Sequence, residues 1–380
     1  MNVRDSEVIC GLLKREGYQI TEDPKKASII IFNTCSVRQH AEDKVWSELG
    51  KFKKGQSPAG TVPIIGVAGC MAQNYKDKIF ERAPNVDFVV GPSDIYKIPS
   101  ILKRLTIDYR PSLPVRQAGT IDPLFQVKIW ETDGGIRPEG IYRTGFYQDE
   151  QHAYIVISEG CSNYCSYCVV PYVRGSLRNR SYKDILKEIE EATDKGITKI
   201  TLLGQNVNAY QYEEVNFVKL VEFVNSVRDL KEFSFITSHP KDISLDLFKA
   251  MADSGKLKKY LHLPMQSGSD RILKLMNRGY TRKFYLDLAD NYRKILKSAT
   301  LTTDIIVGFP TETEADFLKT HNLVKDIEFD AAYIFKYSPR PHTEAEKLAD
   351  DVERKEKEKR HKTILDLQRG ISNKNKCLER

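Results

Sequence analysis

From residue 153 onward the chain repeats one pattern about six times: a short, continuous, β-branched apolar run, then a stretch with helical periodicity. Strands are expected at 153–158, 199–203, 233–237, 261–265, 302–307 and 332–337. Helices are expected between them at 184–193, 217–227, 245–251, 283–295 and 314–327. Runs apolar on both faces belong to parallel strands covered by helices, and right-handed crossovers curl six such units into a partial barrel of the TIM type. In that architecture catalytic groups collect at the C-terminal ends of the strands.

The first third carries a second αβ series. Helical patterns at 6–16, 40–52, 76–82 and 95–105 alternate with apolar runs at 28–32, 63–68 and 86–91, which predicts a small doubly wound parallel-sheet domain. Between the two series, Pro111, Pro114, Pro123, Pro138 and the Gly134-Gly135 pair break the rhythm, and a linker or extension with some strand character is expected there. The fold class is therefore α/β, with domains at 1–107 and 147–378 joined by 108–146.

The 380 residues are 41% hydrophobic and 29% charged, which suits a globular protein of two or three cores. No apolar run reaches the roughly 18 residues that span a bilayer, and residues 1–10, with Arg4, Asp5 and Glu7, lack a signal-peptide core. Seven cysteines, odd and sparse, suit a reducing compartment, so a cytoplasmic protein is expected. The net charge of +7 is compatible with a nucleic-acid partner without demanding one. Arg174, Arg178 and Arg180 follow the most distinctive cluster closely, as cations at a site mouth or as a solvated turn.

That cluster is Cys161-x3-Cys165-x2-Cys168, directly after the first barrel strand. Three thiolates on one loop can hold three irons of a cubane [4Fe-4S] cluster and leave the fourth open to a non-protein ligand. A structural zinc site would need a fourth ligand, and His152, the nearest candidate, lies on the far side of the strand. Polar, glycine-bearing clusters follow later strands: Gly204-Gln205-Asn206, Ser238-His239-Pro240, Gln266 to Asp270, and Gly308-Phe309-Pro310. Each alone reads as a plain βα loop; four at one barrel end suggest a ligand site. His239 has no visible partner in sequence and reads as a turn or packing residue before it reads as a base. Asp304, expected to be buried within its strand, needs a partner or a ligand.

The cysteine spacing, with aromatic Tyr167 before the third cysteine, resembles the signature of radical S-adenosylmethionine (SAM) enzymes. Longer motifs narrow this: Asn33-Thr-Cys35-Ser-Val-Arg38, Gly69-Cys70-Met-Ala-Gln73, Val90-Gly-Pro-Ser-Asp94, Thr201-Leu-Leu-Gly-Gln-Asn-Val207, His262-Leu-Pro-Met-Gln-Ser-Gly-Ser-Asp270, Asp304-Ile-Ile-Val-Gly-Phe-Pro310 and Phe335-Lys-Tyr-Ser-Pro-Arg-Pro341. Over nearly its whole length the chain resembles MiaB-type tRNA methylthiotransferases. Residues 1–7 and 238–242 are most similar to those acting on isopentenylated adenosine 37.

The resemblance implies a methylthio group added to C2 of that base. The cluster on Cys161, Cys165 and Cys168 would reduce SAM to a 5′-deoxyadenosyl radical, and a second SAM would methylate a sulfur at an auxiliary [4Fe-4S] cluster. SAM contacts are implied at Tyr167, Gly204, Gln205, Ser238, Gln266, Asp304 and Pro310. Cys35 and Cys70 are implied as auxiliary ligands; both follow strands and precede helices, whose N-termini would favour thiolate. The family's third auxiliary cysteine would lie ahead of Met1 and its TRAM module beyond Arg380, so neither is expected within this sequence. Cys10 reads as a core thiol. His342 stands where the family usually has glycine. The mixed-sign run 353–361 reads as a solvated helix face. Implied partners are tRNA and an electron donor such as flavodoxin or ferredoxin. Methylthiotransferases acting on threonylcarbamoyl-adenosine or on a ribosomal-protein aspartate would share both cysteine sets. A non-catalytic iron–sulfur RNA-binding relic is the alternative from a different class.

Overall fold

The computed structural model describes residues 1–36, 39–52, 63–108, 128–138 and 140–378. The chain divides into two compact units, Met1–Gln148 with Tyr172–Gly175, and Asp149–Pro171 with Ser176–Arg380.

The first unit holds a parallel sheet in chain order, β1 (Ile29–Thr34), β2 (Ile64–Gly69), β3 (Phe88–Val90) and β4 (Ile129–Glu131). Helices Asn2–Arg15, Gln39–Lys51 and Ile98–Asp108 accompany it, the last preceded by a 3-10 turn, Pro92–Lys97. The helix expected over 76–82 starts later, as Lys78–Arg82, and a separate short helix, Cys70–Tyr75, precedes it; Lys76, at a left-handed φ of 52°, separates the two. The core packs Leu49, Ile65, Val67, Ala72, Ile79 and Val89. Strand β4 comes from the stretch whose rhythm was lost in sequence; Pro111, Pro114 and Pro123 fall outside the described residues.

The second unit is the expected run of βα repeats. Its strands are β5 (His152–Val156), the hairpin-like pair β6 (Ser158–Glu159) and β7 (Arg178–Asn179), β8 (Lys199–Leu203), the small ladder β9 (Gln211–Tyr212) and β10 (Val215–Asn216), β11 (Glu232–Phe235), β12 (Tyr260–His262), β13 (Thr300–Val307) and β14 (Ala331–Lys336). Parallel pairing gives one three-stranded half, β5, β8, β11, and another, β12, β13, β14. A bridge from Phe233 to Leu257, with Phe233 N–H donating to Lys256 O at 2.9 Å, joins β11 to the segment entering β12. The barrel strands therefore follow one another in sequence order.

Helices Tyr182–Thr193, Phe217–Ser226, Leu245–Asp253, Arg282–Ile295 and Glu314–Ile327 cover the outside. The last four begin at a side chain that accepts from the helix's free amides, Asn216, Ser244, Thr281 and Thr313, most completely at Thr313, whose hydroxyl and Asp316 form a capping box. The inner face is polar: His152 Nε2 lies 2.9 Å from Thr201 Oγ1, which lies 2.9 Å from Ser234 Oγ. His152 is thus committed to the barrel interior, away from the cysteine loop.

The final helix, Arg354–Leu378, keeps the solvated face that its mixed charges implied, at Arg354, Lys355, Glu358 and Lys359, but turns Lys357 and Arg360 inward. Arg360 is buried and donates to Glu312 Oε2 at 2.9 Å, while Lys357 reaches Asp350 at 2.5 Å. Arginines at 174 and 180 do not form a solvated turn: Arg180 is clamped by Asp184 and Glu188, and Arg174 is buried in the first unit. His342 has φ +70°, a backbone conformation that favours glycine.

Candidate iron–sulfur and SAM sites

Strand β5 is a buried Ala-Tyr-Ile-Val run that must end where the chain turns, and the cysteine loop begins just past β6. Tyr164 takes a left-handed φ of 46° at the loop's tip, and Asn277 Nδ2 donates to its carbonyl at 2.9 Å. Cys168 N–H closes the turn onto Cys165 O at 2.9 Å. Ser166 is pinned on both sides, its amide to Met276 O at 3.0 Å and its carbonyl to Ala345 N at 2.7 Å. The loop is therefore held by two later segments of the barrel.

Cys165 is buried and Cys161 and Cys168 are half-buried. Burial raises the Cys168 thiol to about 12, with negative charge on Cys165 and Cys161 adding to the shift. Cys161 is raised too, by burial first and then by Cys165. Such thiols resist ionising alone, and a cationic metal centre reverses that preference. Among the described residues no three His, Cys, Asp or Glu side chains are drawn tightly enough for a single ion, so the fit to a cluster rests on the donor set and its surroundings.

Those surroundings include Arg278, which the sequence left unassigned, and His239, which read as a turn or packing residue. The buried Arg278 donates from Nη1 to Cys165 Sγ at 3.3 Å and to Tyr167 OH at 3.4 Å, from Nη2 to Pro264 O at 3.0 Å, and from Nε to Tyr280 OH at 3.0 Å. His239, also buried, has its Nε2 at 3.9 Å from Cys165 Sγ. Its Nδ1 accepts the Lys241 amide at 3.2 Å, so the ring proton sits on Nε2, facing the sulfur. The histidine whose partner was not visible in sequence is thus the neighbour of a candidate ligand.

Around the same strand ends, buried polar atoms stand without partners among the described residues: Ser158 Oγ after β5, Gln205 Oε1 and Asn206 Oδ1 after β8, Ser238 Oγ after β11, and Gln266 Oε1 after β12. Leaving one such atom unsatisfied costs roughly 1–3 kcal/mol. Several from four successive strand ends fit a polar ligand. Gly204 serves the same end by contact: a Cβ there would stand 2.5 Å from Ser158 Oγ. Gln266 is held at φ 63° between Asp304 O, which accepts its amide at 2.9 Å, and Ile306 N, which donates to its carbonyl at 2.9 Å.

Asp304 differs from expectation. It faces the inner side of β13, half-buried, with its Oδ2 3.3 Å from His262 Nε2, so it has an imidazole partner and some water access. Tyr167 packs against Ile272, Met276, Phe309, Tyr337 and Ala345. Pro310 is buried behind Gly308, whose φ of 68° and close contact with the Lys357 stem exclude a side chain.

In the first unit, register pairs Thr34 with Gly69, so Cys35 and Cys70 follow the ends of adjacent parallel strands, as the motifs suggested. Gly69, at φ 91°, also leaves no room for a Cβ, which would stand 2.5 Å from Asn33 Oδ1. At Cys70 burial works against the expected helix-terminus activation. Burial raises that thiol, and the opposing influence is Arg174, whose Nε donates to Cys70 Sγ at 3.2 Å. Arg174 in turn binds Asp5 at 2.7 Å, and Asp5 binds Arg137 at 2.8 Å. Burial pushes the Asp5 carboxyl up, but the two guanidiniums outweigh it and hold it well below the usual range. Cys10 lies half-buried on the first helix, its thiol raised by burial.

A six-strand parallel barrel with a three-cysteine loop after its first strand defines a radical SAM protein. Residues 155–324 match the model of the radical SAM superfamily, and residues 1–91 match that of the uncharacterized protein family UPF0004. Among solved structures, a radical S-adenosylmethionine methyltransferase, TsrM, from Kitasatospora setae shares the fold with TM-score 0.61 at 14% identity, over 90% of this chain and 72% of that one. A tRNA-2-methylthio-N(6)-dimethylallyladenosine synthase of Clostridium perfringens (strain SM101) is 44% identical over 93% of this chain and 76% of its own. One of Moorella thermoacetica is 40% identical over 98% of this chain and 81% of its own. The chain belongs to the family of tRNA-2-methylthio-N(6)-dimethylallyladenosine synthases.

Proposed function

We propose that this protein is a tRNA methylthiotransferase that adds a methylthio group to C2 of N6-isopentenyladenosine at position 37. The observation that carries the reading is the three-cysteine loop, seated beside buried, unpartnered polar atoms at the C-terminal end of the barrel. Cys161, Cys165 and Cys168 hold a [4Fe-4S] cluster. Gln205, Ser238 and Gln266 orient SAM with their free oxygens, Gly204 and Pro310 shape its seat, Tyr167 backs the cluster loop, and Asp304, with His262, presents a carboxylate from the inner wall. When bound, cluster and SAM supply one-electron cleavage of the sulfonium and a radical able to take hydrogen from the base. The protein's part is to fix both in place and exclude water.

Cys35 and Cys70 would hold an auxiliary [4Fe-4S] cluster, which would supply the sulfur. Residues 1–107 form the methylthiotransferase domain, 147–378 the radical SAM domain, and 108–146 the connection. Electrons come from a flavodoxin or ferredoxin, and the tRNA substrate puts the work in the cytoplasm. Among the described residues no helix is long and apolar enough to cross a membrane.

Two measurements test this. Anaerobic incubation with SAM and dithionite should yield 5′-deoxyadenosine, and a triple Cys161, Cys165, Cys168→Ala variant should yield none; equal amounts from both would refute it. Mass spectrometry of tRNA nucleosides from cells lacking the gene should show 2-methylthio-isopentenyladenosine replaced by isopentenyladenosine. An unchanged profile would move the substrate to threonylcarbamoyl-adenosine or a ribosomal protein.

A further inference from the structure

Arg278 is 4% exposed and carries a full charge, yet its hydrogen-bond partners are a thiol sulfur, two phenol oxygens and a backbone carbonyl. Among the described residues none of these partners is a carboxylate. Two arginines of the same unit are matched conventionally: the mostly buried Arg180 by Asp184 and Glu188, and the buried Arg360 by Glu312. A buried guanidinium without an anion pays its desolvation with little return, so such a residue points to negative charge brought by something else.

The geometry names where that charge would sit. Nη1 of Arg278 lies 3.3 Å from Cys165 Sγ, in the middle of the loop. Nη2 and Nε hold the guanidinium still, against Pro264 O and Tyr280 OH, and the Tyr280 hydroxyl is itself fixed by donating to Met265 O at 2.9 Å. A cubane cluster on three thiolates is net anionic and gains one more negative charge when reduced. We propose that Arg278 is a positioning residue whose buried charge offsets that of the cluster on Cys161, Cys165 and Cys168 and so sets its reduction potential. Hydrogen bonds to the sulfurs and local charge are the protein's main means of tuning such potentials. Neutral His239 adds an N–H to the same sulfur but no charge, so the electrostatic weight falls on Arg278. The inference rests on the cluster-binding reading above.

The test uses the full chain carrying Cys35→Ala and Cys70→Ala, so that only one cluster is observed, reconstituted anaerobically and titrated by electron paramagnetic resonance. If this parent takes up no cluster, the cluster-binding reading fails first and the two failures are told apart. Given a loaded parent, Arg278→Met should make reduction at least tenfold less favourable, a shift of about 59 mV to more negative potential for one electron. Arg278→Lys should restore most of it. An Arg278→Met protein that loads its cluster at the parent's potential would overturn the proposal. Should Arg278→Met lose the cluster altogether, recovery of iron by Arg278→Lys supports the charge argument, and failure of the lysine variant, folded by circular dichroism, refutes it.

Discussion

Protonating His239 should destabilise the cluster-free protein by an amount that its surroundings fix. The ring is 5% exposed, its Nδ1 is already engaged by the Lys241 amide, and Arg278 donates to the same sulfur that its Nε2 faces. Burial, then Arg278, then Lys241 lower its pKa to about 2. In the unfolded chain it titrates near 6.5. Because the folded value is the lower one, the unfolded chain binds the extra proton. The contribution to stability is complete above about pH 6.5 and is lost as pH falls below it.

From pH 7.5 to 5.5 linkage gives a loss of about 1.4 kcal/mol, and roughly the same again for the next unit. His239→Asn keeps an acceptor for the Lys241 amide and removes the titration. Urea unfolding of the apo-protein, followed by far-ultraviolet circular dichroism, should show the stability difference between wild type and variant changing by about 1.4 kcal/mol between those two pH values. Every other titrating group cancels in the comparison. A gap that stays constant would mean that the folded protein accepts the proton, and the account of a buried neutral ring beside Arg278 would be wrong.

Three further outcomes follow from the packing. Asp5→Asn leaves two buried guanidiniums without their shared carboxylate and should cost the first unit about 3–5 kcal/mol in urea unfolding. Gly268→Ala would put a Cβ 2.5 Å from Lys319 O and 2.7 Å from Thr320 Cα, both backbone, and should lower barrel stability by about 1–3 kcal/mol. His342→Gly relieves a left-handed φ of 70° and, after the added freedom of the unfolded chain, should stabilise by about 0.5–1 kcal/mol in thermal or urea melts.

The barrel was legible in the sequence wherever an element was long and its punctuation chemical. Lys199–Leu203 and Glu314–Ile327 have the bounds read from pattern alone, one a buried apolar run, the other opened by a Thr313–Asp316 box. Strand β4 was only hinted at, since three residues with Trp130 half-exposed carry no period. Asp304 looked buried because it lies within a strand, between Thr303 and Ile305; alternation instead turns it to the polar inner wall. Arg278 had no motif to announce it. Its partners arrive from the cysteine loop, from the residues after β12 and from Tyr280, and the only local signal was a turn in which Asn277 and Gly279 both take positive φ. His239 was visible as a residue but not as a neighbour, because its partner lies 74 positions away.

The sequence-ordered pairing of the barrel strands has a consequence for how the molecule is made. Each new strand docks on the one translated just before it, so the sheet grows by short-range additions from β5 toward β14 as the chain emerges, without waiting for a distant partner. The cysteine loop is synthesised first and its surroundings last: Met276, Arg278 and Ala345, which pin or charge it, come more than a hundred residues later. During synthesis the three thiols are therefore free of their final enclosure. The time at which they are most open to solvent, and so to oxidation, is set by translation itself.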